Sequence, residues 1–368
     1  MNLADIYDKR RSQATMVTEK TPVTDHQQGL GLVTKRSHIN LPDTDQAAEA
    51  AIQSTGQVRV ATPRHEEPHE HALMSIPDEI EDRLDAVHVA NADVNVIRIT
   101  ESGHHTVTVG IPHNSYTHNI LHIPKGVNAT VLLDYETDGY GFSTEFIDVH
   151  VDDDATAHLT EIRRGEPEHT LYTRREATLG DDATMHWTQC DTGSGLLTNF
   201  TKTHLLGDNS ESRTTNLFYG NDSREFDVSL ESHHTGENTY SFIRSRGALR
   251  SAKSTQRGLV RINKPAFDAD GYQKADNLLL DSDANAVSIP DLEIHNPNVQ
   301  CSHGSTVSSL DDEQLFYLQT RGYNDLHAKK LLVEGFFTPY IERVRPEDAQ
   351  SELRDLLVNN IQSDLDAS

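Results

Sequence analysis

Asp181-Asp182-Ala183-Thr184-Met185 is the clearest copy of a pattern that recurs along the middle of the chain. In each copy an acidic or amide turn is followed by a small residue and then by a strand-like run. The copies centre on positions 129, 155, 183, 210 and 238, which lie 26, 28, 27 and 28 residues apart. A period in the twenties with strand texture indicates stacked units that bury one another's faces. The repeat therefore predicts a β-solenoid of about six turns, each about 4.8 Å high.

Alternation of apolar and polar residues supports strands throughout this region. It starts near Val94 and is clear in residues 94–99, 106–109 and 145–151. The turn pattern becomes irregular after residue 240, although residues 283–287 match it again. The middle of the chain is therefore predicted to be mainly β.

The two ends of the chain differ from this core. The N-terminal part is polar and predicts only short helices, at residues 45–52 and 77–84. We therefore divide the chain into a polar N-terminal segment (1–90), a β-helix core (91–307) and a C-terminal helical region (308–368).

The C-terminal region has the periodicity of helices. Ser309 is predicted to cap a helix that ends at Arg321-Gly322, Asn324 to cap the next, and a third helix is predicted after Pro346. Each carries an apolar stripe. Three such stripes are more than the thin end of a solenoid can bury, so we expect a docking surface for another protein here.

The chain carries a strong excess of acid. Its 368 residues include 58 Asp and Glu against 32 Lys and Arg, which gives a formal net charge of -26 at pH 7. Nucleic acid and anionic membranes would be repelled, so neither is an expected partner. Only ten of the basic residues are lysine. This composition is typical of a surface that stays hydrated at high salt, and it suggests a halophilic source.

The two cysteines, Cys190 and Cys301, are 111 positions apart. They cannot build a disulfide framework, and their number suggests a reducing compartment. Cys190 lies in strand texture and is predicted to be a core residue. The N-terminus has no apolar leader region, and no run of about 18 apolar residues occurs. We therefore expect a soluble, cytoplasmic protein.

The motif Cys301-Ser302-His303-Gly304-Ser305-Thr306 carries the strongest chemical signal. In an extended strand, side chains two apart point to the same face, so a thiol and an imidazole would be presented together. Both are ligands for borderline or soft metals, but zinc and iron-sulfur centres usually take four ligands. The remaining ligands have to come from elsewhere.

Other chemical signals are weaker. Residues 64–71 hold three histidines and three glutamates without a regular element to fix them, and we interpret this run as a solvated linker. The sequence contains no Walker lysine motif, dinucleotide glycine fingerprint or nucleophile elbow. Nucleotide hydrolysis by this chain is therefore not expected.

The Cys-Ser-His motif and the segments before it resemble the SufB/SufD family of iron-sulfur cluster assembly proteins, and SufD more than SufB. The supporting segments are Gly271-Tyr272-Gln273, Asn277-Leu278-Leu279-Leu280 and Pro290-Asp291-Leu292-Glu293-Ile294. The resemblance covers roughly residues 90 to 360. It implies a right-handed parallel β-helix with helical ends.

The resemblance also implies a function. The chain would be a non-catalytic scaffold that pairs with SufB, while ATPase activity would belong to SufC. His303 is the leading metal ligand, and Cys301 is an accessory ligand or a packed neighbour. The iron-sulfur cluster would be transient and shared with SufB, and this chain alone would bind none tightly. SufC would contact the C-terminal region, at Gln314, Leu315, Phe316, Tyr317, Arg321, Gly322, Leu331 and Leu332.

Departures from the SufB pattern favour the helper half of a heterodimer. Thr203 and Ala275 stand where SufB-like chains carry cysteines. Two alternatives stay open: a SufB-type scaffold that holds a cluster by itself, and a carbohydrate-active parallel β-helix enzyme. The enzyme would need carboxylates that converge on one face, whereas the acids here are scattered over turns.

Overall fold

The computed structural model describes residues 9–15, 23, 26–29, 32–34, 36, 51–61, 82–137, 140–192 and 194–359. The strands are β1 His26–Gly29, β2 Leu32–Thr34, β3 Ala51–Thr55, β4 Val58–Ala61, β5 Asp93–Ile99, β6 Gly103–Ile111, β7 Tyr116–Ile123, β8 Asn128–Thr137, β9 Gly141–Val151, β10 Thr156–Arg164, β11 His169–Leu179, β12 Thr184–Thr192, β13 Leu196–Leu205, β14 Glu211–Gly220, β15 Glu225–His234, β16 Tyr240–Leu249, β17 Lys253–Ile262, β18 Asp270–Leu279, β19 Asn285–Ile294 and β20 Gln300–Ser309. The helices are α1 (residues 9–15), α2 Arg83–Asn91, α3 Asp312–Thr320, α4 Asp325–Ile341 and α5 Glu347–Arg354, followed by the π-helical turn Asp355–Asn359. None of the helices in these ranges is long and apolar enough to cross a bilayer.

Strands β5 to β20 wind into a parallel β-solenoid. The even-numbered strands β6 to β20 form one sheet with β3 at its edge, and the odd-numbered strands β5 to β19 form a second sheet with β4 at its edge. We call these the even sheet and the odd sheet. Two strands make one turn, so β5 to β20 build eight turns. The predicted solenoid is confirmed, and it has more turns than the sequence repeat indicated.

The acidic turns of the repeat form one corner of the solenoid. Asp154, Asp182 and Asn209 hold positive φ angles of 56°, 54° and 58° in three successive turns. Asp and Asn tolerate this left-handed backbone better than most side chains do. The N–H group of each then bonds to the next turn, as Asp154 N–H does to Asp181 O at 2.9 Å. The turns stack in this way, and for that reason Asp and Asn recur in the sequence.

The strand register corrects the predicted repeat. The residues that precede successive even strands align at positions 127, 155, 183, 210, 239, 269 and 299, with steps of 28, 28, 27, 29, 30 and 30. Position 127 therefore replaces 129, and position 239 replaces 238. The repeat continues past residue 240 with slightly longer turns. The predicted copy at residues 283–287 leads into β19 and belongs to the odd sheet.

The interior of the rod is largely apolar, but it also holds buried amide side chains such as Gln189 and Asn277 and a charged layer near its middle. Arg163 and Arg175 lie between the sheets and both pair with Glu161, the latter through Nε at 3.1 Å. All three side chains are at most 3% exposed. Buried charges are tolerated when they are paired, as they are here.

The N-terminal end of the rod is covered by the chain itself, because β3 pairs antiparallel with β6 and β4 pairs antiparallel with β5. The predicted helix at 45–52 is wrong for Ala51 and Ile52, which begin β3. Ile52 packs against the core of the rod, and this tertiary contact overrides local helix preference. Residues 45–50 lie outside the described residues.

Helix α2 partly matches the second N-terminal prediction. It begins at Arg83, and its N-cap Asp82 accepts a hydrogen bond from Leu84 N–H. The rest of the predicted helix at 77–84, up to residue 81, lies outside the described residues, as does the run at 64–71.

Helices α4 and α5 lie along the outer face of the even sheet. Phe337 and Leu353 are fully buried there, in one cluster with Ile162, Cys190 and Leu217 of the sheet. The prediction that Cys190 is a core residue is confirmed. The expectation that the C-terminal stripes are too many to bury is wrong for these two helices, because they use the side of the rod rather than its end.

Helix α3 differs, since none of its side chains is buried. Its N-cap is Asp311, whose carboxylate accepts two backbone N–H groups at 2.9 and 3.2 Å. The predicted cap Ser309 is wrong because this residue still belongs to β20. The end of α3 at Arg321-Gly322 and the cap of α4 at Asn324 are confirmed.

Candidate functional site

His303 lies on β20, the edge strand of the even sheet at the C-terminal end of the rod. β20 is extended over Gln300–Ser309, so Cys301 and His303 point to the same face. His303 is exposed and Cys301 is half-buried. A side chain on the inward face of an edge strand stays open to solvent because the rod does not continue over it.

Cys301 packs into the apolar core at this end of the rod, in the cluster that contains Val260 and Ile262. Burial raises the pKa of Cys301 to about 11, and the charge of Asp270 adds to the effect. The thiol is therefore protonated at neutral pH, and the thiolate is the form that binds metals. Cys301 would have to lose its proton before it could act as a ligand.

Gln273 is the neighbour of His303 one turn further into the rod. The two residues are register partners on β18 and β20. Gln273 is 2% exposed, and its Nε2 donates to the carbonyl oxygen of Asp291 on β19 at 2.7 Å. Its side chain therefore crosses from the even sheet to the odd sheet. Gly258 of β17 leaves the space for it, since a Cβ there would collide with Gln273 Oε1.

The two ends of the rod are finished differently. In the described part of the chain, β19 and β20 have a neighbouring strand on one side only. Apolar side chains at this end are exposed, namely Ile294 (46%), Val307 (45%) and Phe267 (48%). At the other end β3 and β4 cover the corresponding edges. We call the end at β19 and β20 the open end, and the end where the short antiparallel strands β3 and β4 lie outside β6 and β5 the closed end.

A second exposed apolar region is formed by α3, the first half of α4 and the end of β20, and we call it the α3–α4 surface. Phe316 and Tyr317 on α3 are 66% and 56% exposed. A groove of about 520 Å³ lies between these elements, and Gln314, Leu331 and Leu332 are among its lining residues. This region joins aromatic side chains to a concave apolar surface.

The residues expected to contact SufC are all accessible. Six of them are exposed and two, Leu315 and Leu332, are half-buried. Arg321 donates to the hydroxyl oxygen of Tyr317 at 2.9 Å, which holds the end of α3 to its own aromatic side chain. The structure brings Gln314, Leu331 and Leu332 together in the groove, whereas the other five do not line it.

Sequence reasoning missed part of the surroundings of His303. Gln273 was noticed only within a family-like segment, and Gly258 carried no visible signal. Their roles depend on which residues the solenoid stacks. Among the residues with described positions, no group of three or more His, Cys, Asp or Glu side chains is arranged to hold a metal ion.

Comparison with known proteins identifies the family of this chain. The family model described as SUF system FeS cluster assembly, SufBD core domain, matches residues 104–336. The iron-sulfur cluster assembly protein SufD of Escherichia coli is 29% identical over 247 residues, which cover 65% of this chain and 57% of the relative. An iron-sulfur cluster assembly SufBD family protein of Porphyra purpurea is 30% identical over 169 residues, which cover 46% of this chain and 35% of the relative.

A SufBD family protein of Staphylococcus epidermidis is 28% identical over 205 residues, which cover 55% of this chain and 44% of the relative. The matched part thus spans from about a third to just over half of the length of these relatives. The family model itself covers more than half of the present chain. The chain therefore belongs to the SufB/SufD family of the SUF system for iron-sulfur cluster assembly, and SufD is the member it resembles.

Proposed function

We propose that this protein is the SufD-like scaffold subunit of a SUF complex that pairs with SufB and SufC to build and transfer nascent iron-sulfur clusters. The observation that carries the proposal is the open end of the rod, where His303 is exposed on an edge strand. Membership of the SufB/SufD family supports iron-sulfur cluster assembly as the process in which the chain takes part. The cluster is the cargo of the assembly and not a resident cofactor of this chain.

The open end fits a second β-solenoid. Edge strands carry rows of N–H and C=O groups that pair readily with another strand, and proteins normally cover or blunt such edges. β19 and β20 are each 10 residues long. A partner of the same architecture extends both sheets at once and covers Ile294 and Val307. SufB, the sister branch of the family, is the partner we assign.

His303 is the proposed ligand from this chain. A neutral imidazole nitrogen is a ligand for iron. Cys301 is the weaker choice, since its thiol keeps its proton at neutral pH. SufB supplies the other ligands, so the cluster is transient and shared between the two subunits. This chain alone holds none tightly.

The α3–α4 surface is the proposed docking site for SufC. Exposed aromatic anchors such as Phe316 and Tyr317, beside an apolar groove, are typical of the centre of a protein interface. Helix α4 continues from this surface and buries Phe337 against the even sheet. A movement imposed by SufC is thereby transmitted to the rod. ATP hydrolysis belongs to SufC, and this chain is non-catalytic.

This assignment keeps the three-part division of the chain, with SufC binding in residues 308–368 and SufB pairing at the end of the 91–307 core. We place the complex in the cytoplasm, because Cys190 and Cys301 are both free thiols and a reducing compartment suits them.

Co-production of a tagged chain with SufB and SufC of the same organism tests the proposal. We expect all three to purify together. The double variant Ile294→Asp/Val307→Asp places charges on the open edges and should release SufB while it retains SufC. Val60→Asp, at a 41% exposed residue of the closed end, is the matched control and should retain both. A wild-type chain that captures neither protein would refute the proposal.

A further inference from the structure

A surplus of positive charge lies on the outer face of the even sheet, next to the open end, in a chain of net charge -26. Arg244, Arg246 and Lys274 all pair with Asp276, at 2.7, 3.4 and 3.4 Å. We call these four residues the basic cluster. In the described part of the chain, Asp276 is the carboxylate that pairs with them. Three positive charges therefore share one negative charge.

The basic cluster is partly withdrawn from water, which makes its surplus charge unfavourable. The side chains of Arg244 and Arg246 are 10% and 17% exposed. The Nε atom of Arg244 is buried and has no hydrogen-bond partner. Burial lowers the pKa of Arg246, and repulsion from Arg244 adds to the effect. A further negative charge beside the basic cluster would offset its surplus charge and relieve the repulsion.

Aromatic rings cover one side of the basic cluster. The guanidinium carbons of Arg244 and Arg246 lie 5.0 and 4.6 Å from the ring centre of Tyr340 on α4, and Arg246 lies 4.2 Å from that of Phe336. Ring faces attract cations but carry no net charge. The rings therefore hold the arginines in place and leave the surplus charge uncompensated.

The other side of the basic cluster leads to the open edge. Arg244, Lys274 and Gly304 occupy one register row on β16, β18 and β20. The stem of Lys274 runs 3.5 to 3.8 Å from the place where a Cβ of Gly304 would be. Because Gly304 has no side chain, a strand paired with β20, about 4.8 Å away, can lay a side chain across it towards Lys274.

We propose that the partner strand that pairs with β20 presents an Asp or Glu carboxylate opposite Gly304, and that this carboxylate binds Lys274. The inference rests on the proposed function, since it names the chemistry of one contact in the pairing with SufB. It assigns an acidic side chain to SufB and makes the pairing dependent on salt. It also gives the glycine of the Cys-Ser-His-Gly motif a role on the face opposite His303.

The test compares two lysine variants of the full-length chain. Lys274→Met keeps the stem and removes the charge. Lys253→Met is the control, because Lys253 is an exposed lysine one strand inside the edge of the odd sheet. The dissociation constant with purified SufB is measured over a series of NaCl concentrations. We expect Lys274→Met to bind about ten-fold more weakly with a flatter salt dependence, and Lys253→Met to stay within about two-fold of wild type.

The possible outcomes distinguish a failure of the proposed function from a failure of this inference alone. A wild-type chain that does not bind SufB refutes the proposed function and this inference with it. Binding by wild type with the same affinity and salt dependence in Lys274→Met overturns the inference alone. Thermal stabilisation of the isolated chain by inorganic phosphate, lost in Lys274→Met while SufB affinity is unchanged, would assign the basic cluster to a free oxyanion and also overturn it.

Discussion

Gln273 and His303 are register partners that face the same interior, yet Gln273 is 2% exposed whereas His303 is exposed. Ile243, the next residue of the same row on β16, is 3% exposed. The row is therefore core until the rod ends, and its last member becomes a surface group. The position of His303 in the stack leaves its side chain exposed.

We expect the exposed aromatic side chains of α3 to be replaceable without loss of stability. None of its side chains is buried, so the double variant Phe316→Ala/Tyr317→Ala should unfold at the same temperature as wild type. Loss of two aromatic anchors should weaken SufC binding at least about ten-fold. Calorimetry of the chain with SufC measures the second effect. Unchanged SufC affinity would move the docking site away from α3.

Substitution of Phe337 on α4 should cost far more stability than substitution of an exposed side chain on α3. Phe337 is fully buried against the even sheet, so Phe337→Ala should lower the free energy of unfolding by about 3 to 5 kcal/mol. Denaturant titration measures the change, and Phe316→Ala serves as the exposed control. Equal effects of the two substitutions would contradict the packing described for α4.

His234 gives the unfolding free energy a dependence on pH. Its ring nitrogens lie 2.7 and 2.8 Å from the hydroxyl oxygens of Thr239 and Ser241. Burial lowers the pKa of His234 to about 4. The unfolded chain, with a histidine pKa near 6.5, takes the proton first, so this contribution is complete above about pH 6.5 and is lost as the pH falls towards 4.

The loss attributable to His234 is roughly 3 kcal/mol at most. Denaturant titrations at pH 7 and at lower pH, on wild type and on His234→Gln, isolate it from other groups. The variant should lose less stability on acidification. Parallel curves for the two proteins would show that His234 is not the titrating group.

Cys301 should be slow to react. With its pKa raised to about 11, little thiolate exists at neutral pH. Alkylation by iodoacetamide, followed by mass spectrometry, should be far slower than that of a small-molecule thiol at the same pH. Cluster loading in Cys301→Ala should also stay close to wild type. Rapid alkylation of native Cys301 would contradict its burial at the end of the core.

The sequence revealed the solenoid because its stacked turns need Asp and Asn at left-handed positions such as Asp154 and Asp182. It also placed Cys301 and His303 on one face, since this follows from strand geometry alone. The cap of α3 was misplaced because Ser309 and Asp311 both suit an N-cap, and only the length of β20 decides between them.

Other features depend on contacts between distant parts of the chain. The stripes of α4 and α5 show that these helices are amphipathic but not that they lie along the side of the rod. The hydrogen bond from Gln273 to Asp291 spans 18 residues and depends on the register of three strands. The basic cluster joins Arg244 to Asp276, which are 32 residues apart. No local sequence pattern predicts contacts between residues so far apart in the chain.

The central claim is that His303 binds the nascent cluster at the interface with SufB. Its most direct test is the iron and acid-labile sulfide content of the complex with SufB and SufC, purified without oxygen. We predict that His303→Ala leaves the composition of the complex intact and strongly lowers both iron and sulfide, while His295→Ala, at an exposed histidine beyond β19, loads normally. Equal iron and sulfide in the wild-type and His303→Ala complexes would contradict the claim.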